Sequence, residues 1–517
     1  MVSNGTNGTN GTNGHTNGHT DGYSDGYIVD QKDISPVNGL PFYKPIPADI
    51  TINNHKDGDK GKILFKNVNI FDSTGADLYP GDVLIEGERI MQVGKFEFTP
   101  DNDTLVIDGK GTKTIMSGLV DAHTHLSWNN SPTLDGLTSL PIEEHVLHTA
   151  NSAKTYLDCG YTMCFGAAAA QVRLDLVVKN AIKEGMIPGP RTLSNCQEIT
   201  TTGGAIVPSI SKFADGEDAM RKVVREFIAY GVDNIKLSMT GDYVHPTMGS
   251  TETYFTLRET KAAVEEAHNR GKRICGHCRS KESVKLACLS GIDVIYHASF
   301  TDEEGLDMLE KLKDRVFVAP AINFPYTSCT GEAIPYGLTP EMAAKKGLKH
   351  EVDMACKAMS ELRKRGVRVL PGGDYGFAWA PHGTYARDLA HFVNLFGYTP
   401  KESLIAATAW GGEIMGHPEE LGKVQPGYYA DLILVDGNPL EDIEIFQDTS
   451  KLHVITLNGH IHKNVAVAGA DGQSLTAEGA PSKRTIYTNL PLVPEKEQRE
   501  LSQTAMKEGI GIDPRAL

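Results

Sequence analysis

The sequence contains no apolar run of the roughly 18 residues that a membrane-spanning helix requires. Its first 27 residues also lack the basic segment and the apolar segment of a secretory leader. The 517 residues include eight cysteines, and some, such as Cys164 and Cys288, lie inside apolar runs, where reduced core thiols are expected rather than disulfides. We therefore expect a cytoplasmic protein that does not bind membranes.

Positive charge is also scarce. Lys and Arg total 50 against 66 Asp and Glu, which gives a net charge of -16. This surplus repels phosphate backbones, so nucleic acid is not an expected partner. Apolar residues make up 40% of the chain and charged residues 22%, which is ordinary for a folded globular protein. The composition therefore predicts an ordinary soluble protein that does not bind nucleic acid.

The two ends of the chain differ from its middle. Residues 1–27 repeat Asn, Gly, Thr and His and contain too few apolar residues to offset the entropy lost on ordering. We predict a disordered low-complexity tail there. Residues 467–517 are rich in Pro, Ser, Glu and Lys, and we interpret them as a C-terminal tail that packs on a neighbouring copy in a homo-oligomer.

Short runs that alternate apolar and polar residues indicate β-strands near both ends of the folded region. They begin near Lys62, where we expect ordered structure to start, with ILFKNVNIFD, DVLIEGERIMQVG and TLVIDG, and they return in ADLILVDG and LHVITLNGHIHKN. Because the two sets have the same character, residues 60–113 and 418–466 are predicted to form one small β-sandwich domain.

Residues 114–417 alternate β-branched runs with helical patterns. Eight candidate strands are IMSGLVDAH, YTMCFGA, RTLSNCQ, DNIKLSM, KRICGH, DVIYHA, RVFVAP and RVLPGG. Helical stretches such as LDLVVKNAIKEGM and ETKAAVEEAHNRG separate most of them. Parallel strands need crossover connections, and closure removes the sheet edges, so the pattern predicts an α/β fold with a (β/α)₈ TIM barrel. A doubly wound open sheet is the competing topology.

The strongest local motif is Asp121-Ala122-His123-Thr124-His125, at the end of the first candidate barrel strand. Residues i and i+2 of a strand point to the same face, so His123 and His125 present two imidazoles to one point. That arrangement suits a metal ion, although two histidines at this spacing also arise by chance. Residues on the other candidate strands are therefore needed to choose between these two interpretations.

Four further metal-competent residues lie at or near the ends of later candidate strands, where barrel enzymes place their catalytic groups. They are Lys236, His277, His297 and Asp374. Taken singly, the lysine could extend to solvent, the histidines could be core residues and the aspartate could form a turn. Six such groups on five of eight strand ends favour a metal site over coincidence.

This ordered series resembles the ligand pattern of the amidohydrolase superfamily, in its binuclear type with a carboxylated lysine. GLVDAHTHL is similar to the first-strand signature of that superfamily, and LGKVQPGYYADLILVDGNPLEDI to its return into the β domain. The resemblance runs from about Lys62 to His462. EEAHNRGKRICGH, GIDVIYHASF and APHGTYARDL are most similar to the branch of proline dipeptidases, imidazolonepropionase-like enzymes and fungal ochratoxin amidase.

The resemblance implies two divalent metal ions, of which zinc best fits nitrogen and oxygen ligands. His123, His125 and Asp374 would hold the more buried ion, and His277 and His297 the more exposed one. Lys236 would bridge them as its carbamate. The implied reaction is hydrolysis of an amide, cyclic amide or peptide-like C–N bond by a metal-bridging hydroxide, with Asp374 moving the proton.

Three residues near the predicted site are candidate substrate contacts. Arg279 stands where small residues are frequent in the family, and it could hold a carboxylate or form an ion pair. Tyr375 follows Asp374, and His382 lies on the last strand-to-helix loop. Residues 323–336 are expected to form a loop over the site that selects substrate.

Two other functions compete with hydrolysis. A metal-dependent lyase, such as a decarboxylase or dehydratase of small aromatic or secondary-metabolite acids, could use the same barrel. A non-catalytic relative that keeps the barrel for assembly would be expected to lack ligands, whereas all six are present here. The substrate itself cannot be read from the sequence, because one fold supports many reactions.

Overall fold

The computed structural model describes residues 34–41, 43, 45–53, 61–245 and 247–465. The predicted tails over residues 1–27 and 467–517 lie outside these described residues. Within the described part of the chain, no helix combines the length and the apolar character needed to cross a membrane.

Strands and helices are numbered here in chain order. The described strands are β1 (Lys62–Phe71), β2 (Tyr79–Glu86), β3 (Arg89–Gly94), β4 (Thr104–Asp108), β5 (Thr114–Ser117), β6 (Leu119–Thr124), β7 (Tyr161–Gly166), β8 (Arg191–Leu193), β9 (Glu198–Thr200), β10 (Ser211–Phe213), β11 (Asn234–Ser238), β12 (Arg273–Cys278), β13 (Val294–His297), β14 (Phe317–Ala319), β15 (Arg368–Val369), β16 (Leu432–Val435), β17 (Leu452–Leu457) and β18 (His460–Asn464). The described α-helices are α1 (Ile142–Asp158), α2 (Leu174–Lys183), α3 (Gly216–Tyr230), α4 (Leu257–His268), α5 (Lys281–Ser290), α6 (Glu303–Lys311), α7 (Asn323–Cys329), α8 (Pro340–Lys346), α9 (Leu348–Lys364), α10 (Arg387–Phe396), α11 (Pro400–Ala407) and α12 (Ala409–Met415).

One eight-stranded sheet joins the two ends of the folded region. Its strand order is β18-β17-β16-β5-β1-β2-β3, and β4 also pairs with β1. β16 runs antiparallel to β5 and pairs Ile433 with Met116, so the late strands lie beside the early ones. Phe65, Ile85 and Leu434 pack in one buried cluster with side chains from both ends. The two ends thus share a sheet, while the division into a separate sandwich domain stays a prediction.

The other strands are parallel and form two sheets, β6-β7-β8 and β10-β9-β11-β12-β13-β14-β15. Backbone hydrogen bonds connect these sheets at both gaps. The nitrogen of Ala122 donates to the oxygen of Pro371 beyond β15 (2.9 Å), and the nitrogen of Asp233 donates to the oxygen of Ser194 beyond β8 (2.8 Å). Helices connect most of these strands, as parallel pairing requires. The architecture is α/β and TIM-barrel-like, which confirms the coarser part of the fold prediction.

The first and third of the eight predicted barrel strands differ from the observed ones. The first run breaks at Gly118, so that β5 belongs to the eight-stranded sheet and β6 to the parallel set. A β carbon at Gly118 would lie 2.2 Å from the hydroxyl oxygen of Thr162, so only glycine fits at this junction. The third run, RTLSNCQ, forms β8 with its first three residues only, and a separate strand, β9, begins at Glu198 directly after it.

The helices form where the sequence supplies both an apolar face and end signals. α3 buries Met220, Val223, Val224 and Phe227, which follow the spacing of one helix face. At the start of α4, Thr256 and Glu259 form a capping box that satisfies free backbone N–H groups. The predicted helical stretches LDLVVKNAIKEGM and ETKAAVEEAHNRG correspond to α2 and α4, which confirms both.

Ordered structure begins before Lys62, so that expectation is wrong. Residues 45–53 pack against the TIM-barrel-like region, and the buried guanidinium of Arg191 holds them there. Its Nη1 donates to the carbonyl oxygen of Ile50 (2.5 Å), and its Nε donates to Oδ2 of Asp431 (2.7 Å). The segment has no periodic pattern that would have revealed this, because its partners lie far along the chain.

Candidate metal centre

All six predicted ligands lie in one region, in or just after the TIM-barrel-like strands. His123 lies in β6, and His125 follows the end of that strand. Lys236, His277 and His297 lie in three successive parallel strands, β11, β12 and β13, while Asp374 follows β15. Each of the six side chains is buried. Parallel neighbours end at the same edge of a sheet, so residues that are distant in sequence meet there.

His123, His125 and Asp374 form the tightest group. Their possible ligand atoms all lie within 4.8 Å of one another. Oδ1 of Asp374 is 3.0 Å from Nε2 of His125 and 3.9 Å from Nε2 of His123. Two imidazoles and one carboxylate therefore point at a common position.

His277 and His297 form a second group beside the first. Nε2 of His297 lies 2.9 Å from Nδ1 of His277. The ring of His297 is also 5.0 Å from that of His123, measured between ring centres. The two groups are therefore in contact through their imidazole rings.

Lys236 lies next to both groups. Its Nζ is 4.1 Å from the ring centre of Tyr296, and the same ring stacks on His123 with 3.8 Å between centres. Burial lowers the pKa of the Lys236 amine, which favours its neutral form. A neutral amine at this position is the species that can react with carbon dioxide.

The hydrogen bonds of His125 test whether a cation fits. Nδ1 of His125 must donate to the carbonyl oxygen of Ala168 (2.9 Å), because a carbonyl only accepts. In a neutral ring this leaves a lone pair on Nε2, which faces Oδ1 of Asp374. That oxygen is buried, and no donor among the described residues bonds to it. Two electron-pair donors that face each other without a proton fit a metal ion between them.

The protonation states agree with ligand roles. Burial lowers the pKa values of His123, His277 and His297 well below the ordinary value, so these rings are neutral and keep lone pairs. Burial alone would raise the pKa of Asp374, but nearby cationic groups, among them Arg279, hold it below its ordinary value. Neutral nitrogens and an ionised carboxylate are suitable ligands for zinc and similar divalent ions.

Two of the candidate ligands have unusual backbone conformations. His297 has a φ of 69° and Asp374 a φ of 62°, both in the left-handed region. Such a conformation costs on the order of 1–3 kcal/mol in a residue other than glycine, and it is concentrated at functional sites. The surrounding fold maintains this conformation at both His297 and Asp374.

A pocket opens beside these residues. Its lining combines apolar and aromatic side chains with the polar groups of the candidate metal centre. The lining residues are His123, His125, Trp128, Leu134, Glu198, Ile206, Val207, Ile210, Lys236, Asp242, Val244, His277, Phe324, Asp374 and Phe377. A pocket lined mainly by apolar side chains, with a small number of polar groups, is typical of a small-molecule site.

Comparison with known proteins agrees with this arrangement. The profile of the amidohydrolase family matches residues 114–462. The chain belongs to the amidohydrolase family. The predicted reaction class, metal-dependent hydrolysis of amide and other C–N bonds, is confirmed with it.

Individual relatives of this amidohydrolase lie in the predicted branch. The ochratoxinase of Aspergillus niger is 28% identical over 382 residues, which cover 68% of this chain and 76% of the relative. An imidazolonepropionase of Vibrio cholerae is 22% identical over 412 residues, covering 74% and 93%. The crystal structure of a prolidase complexed with N-methylphosphonate-L-proline has a TM-score of 0.70 at 24% identity, covering 78% and 100%, and supports the fold alone.

The amidohydrolase places its three predicted substrate contacts behind the cavity lining. Arg279 is buried between two carboxylates, those of Asp242 and Glu351. The hydroxyl of Tyr375 donates to the carbonyl oxygen of Tyr385 (3.1 Å). Contact of Arg279 and Tyr375 with substrate stays a prediction.

His382 uses both of its ring nitrogens within the protein. Nε2 lies 2.7 Å from the carbonyl oxygen of Trp128, and Nδ1 lies 3.1 Å from the hydroxyl of Tyr385. The indole of Trp128 in turn stacks on His125 with 3.5 Å between ring centres. His382 therefore supports a wall of the amidohydrolase site, and its predicted contact with substrate is untested.

Residues 323–336 are largely helical, which corrects the predicted loop. Helix α7 occupies Asn323–Cys329, and Phe324 at its start lines the cavity. The segment does lie beside the site, as expected. The Pro and Tyr residues of the segment favoured a loop in the prediction. Burial of Phe324 and its neighbours instead stabilises a helix.

Sequence reasoning missed most of the other lining residues of the amidohydrolase, among them Glu198, Asp242 and Trp128. Glu198 lies in β9 and Asp242 follows β11, so a search for acidic residues at strand ends would have found both. Trp128 lies three residues after His125, and no local signal distinguished it from a core aromatic. Burial raises the pKa of Glu198 to about 7.

Proposed function

We propose that this amidohydrolase binds two divalent metal ions, zinc being the best match, and that Lys236 is carboxylated. His123, His125 and Asp374 would hold one ion, and His277 and His297 the other. The observation that carries the proposal is the pair of facing acceptors, Nε2 of His125 and Oδ1 of Asp374, 3.0 Å apart in a buried site.

The surroundings of Lys236 support its carboxylation. The neutral amine would attack carbon dioxide, form an N–C bond and release one proton, which gives a carbamate with two oxygen ligands. Burial favours the neutral amine. The negative carbamate would then lie among neutral imidazoles and the bound cations, which stabilise it.

Asp374 would transfer the proton during hydrolysis. Divalent ions held there would lower the pKa of a water molecule and polarise the scissile carbonyl. The Asp374 carboxylate accepts the proton of the attacking water and returns it to the leaving nitrogen as the C–N bond breaks. The strained backbone at Asp374 fixes its direction.

We also propose that the two parallel sheets close into one eight-stranded barrel. The two backbone hydrogen bonds that link the sheets at their gaps support this closure. The eight-stranded sheet, from residues 60–113 and 418–466, would then be a β-sandwich domain built from both chain ends. Cytoplasmic residence, assembly into a homo-oligomer and a small-molecule substrate stay predictions from the sequence.

Metal content measured by elemental analysis tests the proposal. We expect close to two ions per chain, and loss of both metal and amide hydrolysis in Lys236→Ala. The control is Lys212→Ala, because that side chain is 40% exposed and lies at the surface. The intact mass of the native protein should include one carboxyl group on Lys236. One ion per chain with an unmodified lysine would contradict the binuclear site.

A further inference from the structure

The cavity has a continuous aromatic wall. Trp128 and Phe377 pack edge to face with 5.0 Å between ring centres, and Phe324 lies 4.7 Å from Phe377. Leu134, Val207 and Val244 belong to the same buried cluster. A flat apolar group of a substrate would be desolvated against this wall, which favours aromatic substrates.

Arg279 already pairs with carboxyl groups of the protein. Its Nη2 is 2.5 Å from Oδ2 of Asp242, and its Nη1 contacts Oε1 of Glu351. The two oxygens of Glu351 also accept from the hydroxyls of Ser250 and Ser299, both at 2.9 Å. Both Nη atoms of the one guanidinium are therefore engaged by acidic side chains, and a substrate carboxylate would have to compete with them.

The remaining charged residues of the cavity do not replace Arg279. Among the described lining residues, Lys236 has the one lysine or arginine side chain, and it belongs to the proposed metal site. Glu198 and Asp242 add two acidic groups to the wall. A carboxylate on the distal part of a substrate would meet like charge without a pairing cation, which is unfavourable in a desolvated site.

We propose that the cavity selects amides whose distal group is an uncharged aromatic ring, and that it discriminates against substrates with a carboxylate there. This inference rests on the proposed function of amide hydrolysis. Discrimination arises because the carboxyl groups of Asp242 and Glu351 already pair with Arg279. The carboxyl group of Glu198 lines the same cavity.

A matched pair of substrates tests this selection. 4-(Benzamidomethyl)benzamide and 4-(benzamidomethyl)benzoate share the scissile N-benzyl benzamide bond and differ only in a carboxamide or a carboxylate on the distal ring. We expect kcat/KM for benzoate release to be roughly tenfold or more higher for the carboxamide, mainly through KM. Burial raises the pKa of Glu198 to about 7, so the kinetics are measured above that pH, where its carboxyl is ionised. Under these conditions Glu198→Gln removes one negative charge at constant shape and should reduce this ratio severalfold. Glu143→Gln, at the exposed start of α1, is the control and should leave the ratio unchanged.

Binding gives a readout that is independent of turnover. The dissociation constants of 4-(benzenesulfonamidomethyl)benzamide and 4-(benzenesulfonamidomethyl)benzoate, in which a sulfonyl group replaces the scissile carbonyl, are measured by calorimetry on the metal-loaded protein. Tighter binding of the carboxamide, with a smaller difference in Glu198→Gln, supports the inference even if neither benzamide is hydrolysed, an outcome that would refute only the proposed reaction. Preference for the carboxylate in both experiments would overturn the inference, as would failure of both probes to bind.

Discussion

A β carbon at Gly372 would lie 2.6 Å from the backbone nitrogen of His123 and 2.9 Å from its β carbon. The chain beyond β15 can therefore approach β6 only through a residue without a side chain. The adjacent hydrogen bond from Ala122 to Pro371, 2.9 Å long, fixes this approach. It places Asp374, two residues later, beside the two histidines of the first motif.

Gly372→Ala should disrupt the metal centre. The added methyl group would push Asp374 away from His123 and His125, and a displacement of about 1 Å can cost roughly 100-fold in rate. We expect kcat/KM and metal content to fall together, measured by steady-state kinetics and elemental analysis. The control is Gly249→Ala, whose β carbon would have its first contact at 3.7 Å. Full activity in Gly372→Ala would show that the loop relaxes without cost.

Asp374→Asn should lower kcat while leaving the fold intact. The amide keeps the shape of the side chain but cannot accept and return a proton, a function worth about 10²–10⁴-fold in rate. The measurement is kcat on metal-saturated protein, with circular dichroism to confirm folding. Asp314→Asn, at an exposed turn, provides the matched control. A loss of less than about tenfold would assign the proton transfer to another group.

Removing the cation between Asp242 and Glu351 should strongly destabilise the protein. Arg279→Met leaves two buried carboxylates unpaired, and breaking a buried ion pair typically costs about 3–5 kcal/mol. Urea unfolding would measure the loss. Adding Glu351→Gln should recover part of it, because one of the unpaired charges is then removed. If the double variant lost more free energy of unfolding than the two single variants lose in sum, this account would be contradicted.

Stability should depend on pH through Asp175. Burial raises the pKa of this carboxyl to about 7 from an ordinary 3.8. Below about pH 4 it is protonated in both the folded and unfolded states, and it has no effect. Between about pH 4 and 7 the Asp175 carboxyl ionises in the unfolded state but stays protonated in the folded state. The free energy of unfolding therefore falls as pH rises, by about 1.4 kcal/mol for each unit by which the two pKa values differ.

Asp175→Asn tests that dependence. The variant should gain melting temperature relative to the parent as the pH rises from about 4.5 to 7, with no further gain above that range. Scanning fluorimetry over pH 4.5–8 would measure this difference. Asp314→Asn, at an exposed turn, is the matched control substitution. A constant offset for Asp175→Asn would show that its carboxyl ionises normally in the folded protein.

Much of the metal centre could be predicted because its signals are local. The two-residue spacing of His123 and His125 fixes their common face within one strand. Lys236, His277 and His297 each lie in a β-branched run, so their positions at one sheet edge follow once the strands are recognised as parallel. The six residues were therefore brought together by patterns that need no knowledge of packing.

Contacts between distant residues could not be predicted in this way. Glu351 lies 72 positions from Arg279, and Ile50 lies 141 positions from Arg191. Helix α9 and the segment of residues 45–53 carry no pattern that identifies these partners. The expectations for ordered structure near Lys62 and for a loop at residues 323–336 failed for the same reason, since tertiary burial determines both.

The sequence by itself determined the alternation of strands and helices, the reaction class and the set of residues that meets at the strand ends. Hydrophobic periodicity and ligand spacing are properties of short segments, and they persist in any compact packing of those segments. The tertiary structure decided which charges are paired. Burial makes an unpaired charge too costly, so Arg279 is held by Asp242 and Glu351, and the cavity is left with an aromatic wall and acidic neighbours.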